Sequence, residues 1–342
     1  MRMTYAKAGV NIDQKSAAIS RLVKMLGFRR EGLGKMLDLE GHFTGLIDFG
    51  EYALSLCTDG VGTKLLVADA MEKWDTVGID CMAMNANDMI CVGAEPLAFV
   101  DYIAIDKPSP EKARQIGKGL NRGAEMANVS IIGGEIAVLP ELVRGFDLAG
   151  TCLGAVKKSE IITGAGIRPG DAIIGVRSTG IHSNGFSLAR KVVEGANIGY
   201  KDREPKLGRR WGDELLEPTA VYVRPIIEAV GKCEIHGMAN ITGGGMRNLI
   251  RLKKGVEYRI EEPLEPHKVF DLLGELGDVE TREMYQTFNM GMGYAIVAPE
   301  SEVKQISRIV GKCYDCDVVG SIYKSKVTKA TLPELGLSYD RY

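Results

Sequence analysis

The alternation of apolar and polar residues predicts that the first half of the chain is rich in strands. Runs of β-branched and aromatic residues predict strands at residues 53–57, 99–105, 129–132 and 146–156. Along two of them the apolar residues Leu54, Leu56, Val100, Ile103 and Ile105 indicate a sheet with one face in need of cover. A second copy of the chain could supply that cover, although the pattern itself shows only that the surface exists.

Two helices are predicted between these strands. Over residues 76–94, apolar residues recur at three- and four-residue steps, which places Asp80, Asn87 and Asp88 off the apolar stripe. Residues 109–128 form the second helix, since the serine at its start is suited to the cap and the following proline to the first helical position.

The pattern changes around residues 157–171, where a charged stretch runs into Arg168-Pro169-Gly170-Asp171, a turn that feeds a new strand. We place a domain boundary there and expect an N-terminal domain over residues 1–166 and a C-terminal domain over residues 167–342. With 342 residues, the chain is long enough for two cores, and both domains are predicted to be mixed α/β. Helix and strand signals alternate in the second half at residues 172–176, 184–194, 219–230, 234–241, 256–260, 267–276, 294–297, 301–310 and 317–322.

Charge and hydropathy exclude several classes of partner. The chain has 43 basic and 45 acidic residues, so its net charge of -2 gives no electrostatic footprint for nucleic acid or an anionic membrane. No signal-like segment opens the chain, and no apolar run approaches the roughly 18 residues needed to span a bilayer. We therefore expect a soluble, cytoplasmic protein.

Most of the seven cysteines lie inside apolar runs, which predicts buried, reduced thiols rather than a disulfide framework. Only Cys313 and Cys316 have ligand-like spacing, and no second pair of cysteines or histidines is near them in the sequence. We therefore favour two packed residues over a zinc or redox site.

The strongest candidate for chemistry is a glycine-rich turn that ends in a lysine, Asp59-Gly60-Val61-Gly62-Thr63-Lys64, together with the later pair Asn87-Asp88. Glycines let main-chain amides approach an anion, Lys64 adds a positive charge, and Asp59 and Asp88 offer the hard oxygen ligands that Mg²⁺ prefers. The pattern predicts binding of magnesium and ATP. The spacing matches neither a Walker loop nor a dinucleotide turn, so a tight turn with a solvated acid and lysine is the alternative.

Two more segments combine glycines with groups that bind anions or transfer protons. Gly133-Gly134-Glu135 follows a short β run, where a strand-to-turn corner would let amides and a carboxylate meet a ligand; a simple turn is the alternative. Ser178-Thr179-Gly180-Ile181-His182-Ser183-Asn184-Gly185 joins a predicted strand to a predicted helix. An anion could lie at that helix N-terminus with His182 as a proton-transfer group, or Ser183 or Asn184 could simply cap the helix.

Three other segments are candidates for ligand contact. Thr242-Gly243-Gly244-Gly245 repeats the order of strand, glycines and helix, and Phe288-Asn289-Met290-Gly291-Met292-Gly293 places a polar amide among glycines. Such glycines indicate close approach to a ligand or to a neighbouring strand. Residues 5–13 are too polar for a core strand and form either a flexible arm or a lid that brings Lys7 and Asp13 to a phosphate.

The order and spacing of these segments resemble the phosphoribosylformylglycinamidine cyclo-ligase family, also called the aminoimidazole ribonucleotide synthetases, over almost the whole chain. Each segment alone is a weak signal, whereas all of them in this order are highly specific. The resemblance implies a two-domain mixed α/β fold whose N-terminal domain binds ATP. It also implies that the N-terminal domains of two copies join their sheets across a homodimer.

The reaction implied by the resemblance is the ATP-dependent closure of formylglycinamidine ribonucleotide to aminoimidazole ribonucleotide in purine biosynthesis, with release of ADP and phosphate. In that family, phosphorylation of the formyl oxygen is thought to come first, and an amidine nitrogen then displaces phosphate. An amide oxygen is a poor leaving group and phosphate a good one, so ATP activates the substrate, with Mg²⁺ stabilising charge on the transferring group.

The resemblance also implies roles for individual residues. Asp59 and Asp88 correspond to metal positions, and Asp88 and His182 to catalytic ones. The implied ATP contacts are Lys7, Asp13, Asp59, Gly60, Gly62, Thr63, Lys64, Asn87, Asp88, Gly133, Gly134 and Glu135. The implied substrate contacts are His182, Ser183, Asn184, Gly243, Gly244 and Asn289.

The chain departs from the family pattern at Ile136, Leu139 and Asn240, where threonine, methionine and histidine are usual. Since the acidic and glycine positions are intact, we interpret these changes as divergence inside the family. Two alternatives use the same architecture: a small-molecule kinase such as thiamine-phosphate kinase, and a regulator that binds ATP without turnover.

Overall fold

The structure is a computed structural model that describes residues 3–5, 7–9, 12–39 and 41–341, without the side chains of residues 12, 13, 15 and 16. The strands of the N-terminal half are β1 (Met36–Leu37), β2 (Gly45–Phe49), β3 (Tyr52–Gly60), β4 (Glu95–Ile105), β5 (Ser130–Val138) and β6 (Phe146–Lys157). Its helices are α1 (Ile12–Met25), α2 (Lys64–Met71), α3 (Val77–Met89) and α4 (Pro110–Ala127), with 3-10 turns at Ile90–Val92 and Lys158–Glu160.

In the C-terminal half the strands are β7 (Ala172–Arg177), β8 (Arg203–Glu204), β9 (Arg209–Arg210), β10 (Gly237–Asn240), β11 (Val256–Ile260), β12 (Met292–Ala298), β13 (Cys316–Lys324), β14 (Lys329–Leu332) and β15 (Leu337–Tyr339). The helices are α5 (Phe186–Gly195), α6 (Trp211–Leu215), α7 (Val223–Val230), α8 (Lys268–Gly277), α9 (Thr281–Thr287) and α10 (Val303–Val310). Further 3-10 turns lie at Gly245–Arg251, Glu300–Glu302 and Pro333–Leu335.

The first sheet has the strand order β1-β2-β3-β6-β4-β5, and β5 runs parallel to its neighbour β4. The four strands predicted in this half are present. The strand predicted at residues 129–132 continues to Val138, however, so Gly133-Gly134-Glu135 lies inside β5 and the predicted turn there was wrong. Hydrogen bonding to β4 explains the extension, because the ladder carries the backbone past both glycines.

One face of this sheet is covered by helices and the other is open. On the open face Leu56 is 52% exposed and Val100 37% exposed, and Leu54 shares this side of β3 with Leu56. Ile103 and Ile105 lie on the covered face and are buried, so the prediction that they share the uncovered surface was wrong. Val100 is three residues before Ile103 and five before Ile105, so the two-residue alternation of β4 places it on the opposite face from both.

Helix α3 packs on the covered face, against strands β3 and β6, and crosses α4 at close range. A side chain added at Gly78 would collide with the backbone around Leu120, so glycine is required for this helix crossing. The predicted cap of α4 is also present, because the Lys112 amide donates to Ser109 Oγ at 3.3 Å. The crossing holds α3 so that its polar side faces the C-terminal half.

Residues 158–171 lead from the first sheet to a second one, whose strand order is β10-β12-β7-β13-β11-β14-β15. The proposed boundary between residues 166 and 167 falls in this connection. The central strands β7 and β12 are buried along almost their whole length. Helix α5 begins just after a loop at residues 178–185, and a second loop follows β10; both loops lie on the side of the first domain.

A buried ion pair joins the two domains. Lys64 Nζ donates to Asp80 Oδ1 at 2.9 Å, and both side chains are 0% exposed. The ammonium also donates to the main-chain oxygens of His182, at 3.0 Å, and Glu217, at 2.6 Å, both in the C-terminal half. The carboxylate accepts from the Thr219 amide at 2.8 Å and its hydroxyl at 2.6 Å. A first-domain ion pair therefore organises two loops of the second domain.

Other contacts extend this interface on both sides of the ion pair. Asn87 donates to the main-chain oxygen of Ala220 at 2.8 Å and accepts from the Tyr222 amide at 3.0 Å. Arg251, from the second domain, donates to the main-chain oxygens of Gly41 and His42. Asp80 and Asn87, two of the residues of α3 that lie off the apolar stripe, are thus buried by the C-terminal domain.

The described part of the N-terminal segment packs on the second domain. The Met3 amide donates to the main-chain oxygen of Gly277 at 3.1 Å, and the Tyr5 amide to Glu283 Oε1 at 2.8 Å. Lys191 Nζ donates to the main-chain oxygen of Lys7 at 3.3 Å. No helix among the described residues is long and apolar enough to cross a membrane.

We predict that Lys64→Met destabilises the protein by about 3–5 kcal/mol, because it leaves the Asp80 carboxylate buried without its cation. The measurement is the midpoint of urea unfolding, followed by far-UV circular dichroism. Lys73→Met is the matched control: its ammonium lies 3.7 Å from Asp213 in a partly exposed pair, and we expect less than about 1 kcal/mol. Equal losses in the two variants would contradict a special role for the buried pair.

Candidate active site

The two carboxylates singled out in the sequence lie together where the domains meet. Asp59 is at the end of β3 and Asp88 is on the last turn of α3, and both are half-buried. Burial raises the pKa of Asp88 to about 7; the nearby Asp59 charge adds to this, while a hydrogen bond from Asn240 opposes it. Two hard oxygen donors therefore share one partly accessible location.

Asn240 connects this acid pair to the second domain. Its Nδ2 donates to Asp88 Oδ1 at 2.8 Å. Asn240 is the last residue of β10 and comes just before Thr242-Gly243-Gly244-Gly245. Asn240, where the resemblance led us to expect histidine, thus contacts the acid pair.

The glycine-rich turn after β3 lies beside the acid pair. The Gly60 amide donates to Asp59 Oδ1 at 2.8 Å, and Gly62 adopts φ +73 with no atom near the position of a Cβ. Gly62 is exposed, whereas the next residue, Thr63, contacts Ser187 of α5 across the interface, with 3.4 Å between the hydroxyl oxygens. The turn therefore presents open backbone at the start of α2.

Lys64 is not available to this surface. Its three ammonium protons are matched by three acceptors within the protein, and the side chain is fully buried. Burial lowers the pKa of Lys64, while the Asp80 carboxylate counteracts the effect. In this structure, Lys64 therefore holds the domains together and does not face a phosphate.

His182 likewise does not face the acid pair as a proton-transfer group. The imidazole is buried, and its Nε2 accepts from the Thr179 amide at 3.2 Å. Burial, followed by the positive charge of Lys64, lowers the pKa of His182 to about 3, so the ring is neutral at physiological pH. A general base needs a pKa near the working pH, and so the structure gives no support to His182 in that role.

The other predicted substrate residues divide into two groups. Asn184 and Gly243 are half-buried and lie against each other, since a Cβ on Gly243 would be 3.1 Å from Asn184 Oδ1. Asn184 Nδ2 also lies 3.8 Å from the sulfur of Met84, one turn before Asp88 on α3. Asn184 thus contacts α3 one turn before Asp88, and Gly243 lies three residues after Asn240, whereas the remaining ones are buried.

The buried group consists of Ser183, Gly244 and Asn289. Ser183 Oγ lies 3.0 Å from Thr219 Oγ1. Asn289 Nδ2 donates to the main-chain oxygens of Gly180, at 2.9 Å, and Ile181, at 3.2 Å. In this structure, Asn289 supports the loop that precedes α5.

Sequence reasoning missed Asp101. In the sheet register, Asp59 and Asp101 both pair with Gly150, from opposite sides, and Asp101 also pairs with Gly134. A side chain at Gly134 would collide with the Asp101 carboxylate, which explains that glycine. Burial raises the pKa of Asp101. The signal was present in the sequence, since Asp101 interrupts the buried alternation of Phe99 and Ile103.

Several remaining residues of the predicted ATP set do not present their side chains to the acid pair within one copy of the chain. Gly133 and Glu135 are exposed on the edge strand β5, and Asn87 is buried at the domain interface. Lys7 lies beside α5, on the second domain. The side chain of Asp13 is outside the described residues.

The residues at the acid pair fit a magnesium ion that is shared with a phosphate. Within the described ranges, no group of three or more His, Cys, Asp or Glu side chains is placed to hold a metal. Mg²⁺ commonly binds through one or two carboxylates and keeps waters and phosphate oxygens as its other ligands. Asp59 and Asp88 meet that requirement, because the Asp59 charge is close enough to raise the pKa of Asp88.

The cysteines agree with the prediction of buried thiols at four of the seven positions, but Cys313, which was expected to be packed, is exposed. They are free thiols, and Cys57, Cys81, Cys91 and Cys152 are buried. Burial raises the pKa of each of these four thiols. They are packing residues.

The two domains match two known sequence families. "AIR synthase related protein, N-terminal domain" matches residues 41–156, and "AIR synthase related protein, C-terminal domain" matches residues 168–333. The structure of AaThiL complexed with AMPPCP and TMP superimposes with a TM-score of 0.65 at 16% identity, over 92% of each chain. Fold and site thus define the class of AIR synthase-related proteins.

Two proteins of similar sequence show to which family within this class the chain belongs. The phosphoribosylformylglycinamidine cyclo-ligase of Methanosarcina barkeri is 48% identical over 326 residues, which are 95% of this chain and 96% of that protein. The protein of the same name from Methanococcus maripaludis is 48% identical over 309 residues, 90% of this chain and 88% of that one. The chain belongs to the phosphoribosylformylglycinamidine cyclo-ligase family.

We predict that Asp88→Asn is at least as stable as the parent protein at pH 8. An acid whose pKa is raised by folding, here from 3.8 to about 7, makes the folded state less stable as pH rises through that window. The difference in melting temperature, variant minus parent, should therefore increase from pH 4 to pH 8. Asp315→Asn, in the exposed turn before β13, controls for the change in net charge. A variant that melts lower than the parent at pH 8 would make Asp88 a structural residue.

Proposed function

We propose that this protein catalyses the ATP-dependent closure of formylglycinamidine ribonucleotide to aminoimidazole ribonucleotide, with Mg²⁺, ADP and phosphate as in the family reaction. The observation that carries the proposal is the acid pair Asp59 and Asp88 beside an open glycine turn, in a chain 48% identical to a named cyclo-ligase over 95% of its length. The nucleotide would lie at this pair, where the two domains meet.

The chain's residues would act mainly by positioning and by electrostatics. The amide of Gly62 and the N-terminus of α2 would bind phosphate oxygens, whereas the Gly60 amide is held by Asp59. Asp59 and Asp88 would hold magnesium, which when bound supplies positive charge to the phosphoryl group in transfer. Asn184 and Gly243, on the facing loops, would border the ribonucleotide.

The phosphoryl group would pass from ATP to the formyl oxygen of the substrate, and the bond to ADP would break. The amidine nitrogen would then attack the activated carbon, and phosphate would leave with that oxygen. His182 has no direct part in this scheme because it is buried and neutral. It holds the loop before α5 through its main-chain oxygen, which accepts from Lys64.

A homodimer formed through the open face of the first sheet is part of this proposal. That face exposes Leu56, Val100 and Tyr102, and the edge strand β5 is exposed on nearly all its residues. An open apolar face beside an unpaired edge is unfavourable in water, and a second copy would cover both. The exposed Gly133 and Glu135 would then lie at the interface, where they could reach a site other than that of their own chain.

Thiamine-phosphate kinase is the alternative function. Its support is a likeness of fold, since the thiamine monophosphate kinase of Aquifex aeolicus superimposes with a TM-score of 0.60 at 15% identity over 90% of this chain and 94% of that one. The much higher identity to named cyclo-ligases favours ring closure.

The proposed function is tested by incubating the purified protein with formylglycinamidine ribonucleotide, ATP and Mg²⁺, and following ADP and aminoimidazole ribonucleotide together. We expect the two products in equal amounts, and at least a 100-fold lower kcat for Asp88→Asn, because a charged ligand is lost without loss of volume. ADP formation with thiamine phosphate but no ring product would establish the kinase. Nucleotide binding without any turnover would establish a regulator.

The dimer is tested by Leu56→Glu, which places a charge on the open face where Leu56 is 52% exposed. We expect the parent to sediment as a dimer and this variant to dissociate at least 10-fold more readily, because the carboxylate would be buried without a partner. Val327→Glu, at a site 56% exposed in the second domain, is the matched control and should stay dimeric. A monomeric parent protein would contradict the proposed dimer.

A further inference from the structure

The hydrogen bond between Asn240 and Asp88 crosses from one domain to the other. Asp88 belongs to α3 of the first domain and Asn240 to β10 of the second, and Nδ2 lies 2.8 Å from Oδ1. Among the described residues, no other group donates a hydrogen bond to the Asp88 side chain. The one fixed partner of this carboxylate therefore comes from the opposite domain.

The position of Asn240 is set by its own strand. Asn240 is 3% exposed and pairs with Tyr294 of β12, and the following amide, of Ile241, donates to the main-chain oxygen of Gly293 at 3.0 Å. A carboxylate only accepts hydrogen bonds, so the amide nitrogen of Asn240, not its oxygen, must face Asp88. The donor is thus presented by a rigid, buried element.

Asp88 has a physical need for such a donor. It is half-buried, and the Asp59 carboxylate lies close enough to repel its charge. A neutral donor can hold one oxygen in place without competing as a cation for the ligand. Replacing the amide by a group that cannot donate would leave the carboxylate free to turn away from Asp59.

We propose that Asn240 is a positioning residue of the active site: its amide holds one oxygen of Asp88, so that the other is left for the magnesium-bound nucleotide. This inference rests on the proposed function of Asp88. It also makes the acid pair depend on domain docking, because the donor reaches Asp88 only when β10 lies against α3. Histidine also carries an N–H donor, and so it could hold Asp88 in the same way.

The test compares Asn240→Ala with Asn240→His in the full-length protein. Calorimetry measures ADP binding with Mg²⁺ and with EDTA, and steady-state assays give kcat and KM. We expect Asn240→Ala to weaken binding of ADP with Mg²⁺ by about 10–100-fold, the usual effect of removing a partner that orients a metal ligand, and to leave binding in EDTA within about 2-fold. Asn240→His should restore most of the loss.

A matched control removes a different interdomain contact. Arg224 donates to the main-chain oxygens of Glu125 and Met126 across the interface, away from the acid pair. Arg224→Ala should change neither binding constant beyond about 2-fold. An equal loss in Arg224→Ala and Asn240→Ala would assign the effect to domain docking in general and overturn the proposal.

The double variant separates this inference from the proposed function. If Asn240 acts through Asp88, adding Asn240→Ala to Asp88→Asn should cause no further loss of Mg²⁺-dependent ADP binding. A further loss as large as that in the parent background, or an equal loss in EDTA, would overturn the positioning role. Full ring-closing activity in Asp88→Asn would instead overturn the proposed function of the acid pair, whatever Asn240 does.

Discussion

The buried ion pair of Lys64 and Asp80 is the interaction on which the rest of the site depends. Both groups are removed from water, and every proton of the ammonium is used by an acceptor in the protein. Burying a lysine and an aspartate is costly unless each is fully paired, and removing one partner leaves a charge that the surroundings cannot solvate. The pair therefore specifies one arrangement of the domains more than it adds stability.

That arrangement makes the candidate site a property of two domains. Asp59 and Asp88 come from the first domain, whereas Asn240, Asn184 and Gly243 come from loops of the second. Lys64 holds the main chain at His182, two residues before Asn184, so the ion pair and the site share one loop. A change that loosens the domain interface should consequently alter the acid pair before it unfolds either domain.

The sequence predicted helices and strands well where the apolar periodicity and the helix-capping residues were clear. Ser109 capped α4 as expected, and the apolar stripe of α3 was found within one or two residues of its observed start. The strand predicted at residues 129–132 was too short, because the two glycines that follow it resemble a turn. In the structure, pairing with β4 continues this strand to Val138. Asp101 interrupts an apolar alternation in the sequence, but its place beside Asp59 depends on strand pairing, which the sequence does not show.

The sequence by itself determined the family, the chemistry of the acidic and glycine segments, and the apolar patterns that build two sheets. These features depend on the identity of neighbouring residues or on the order of segments along the chain, so the sequence alone is sufficient to show them. Only the tertiary structure decided which charges are used inside the protein and which face a ligand. Lys64 and His182 looked like ligand groups until burial and the second domain supplied their partners, whereas Asn240 looked like simple divergence until folding brought it to Asp88. The physical reason is that hydrogen bonds and charge pairs act through space, between residues that here are up to 278 positions apart in the chain.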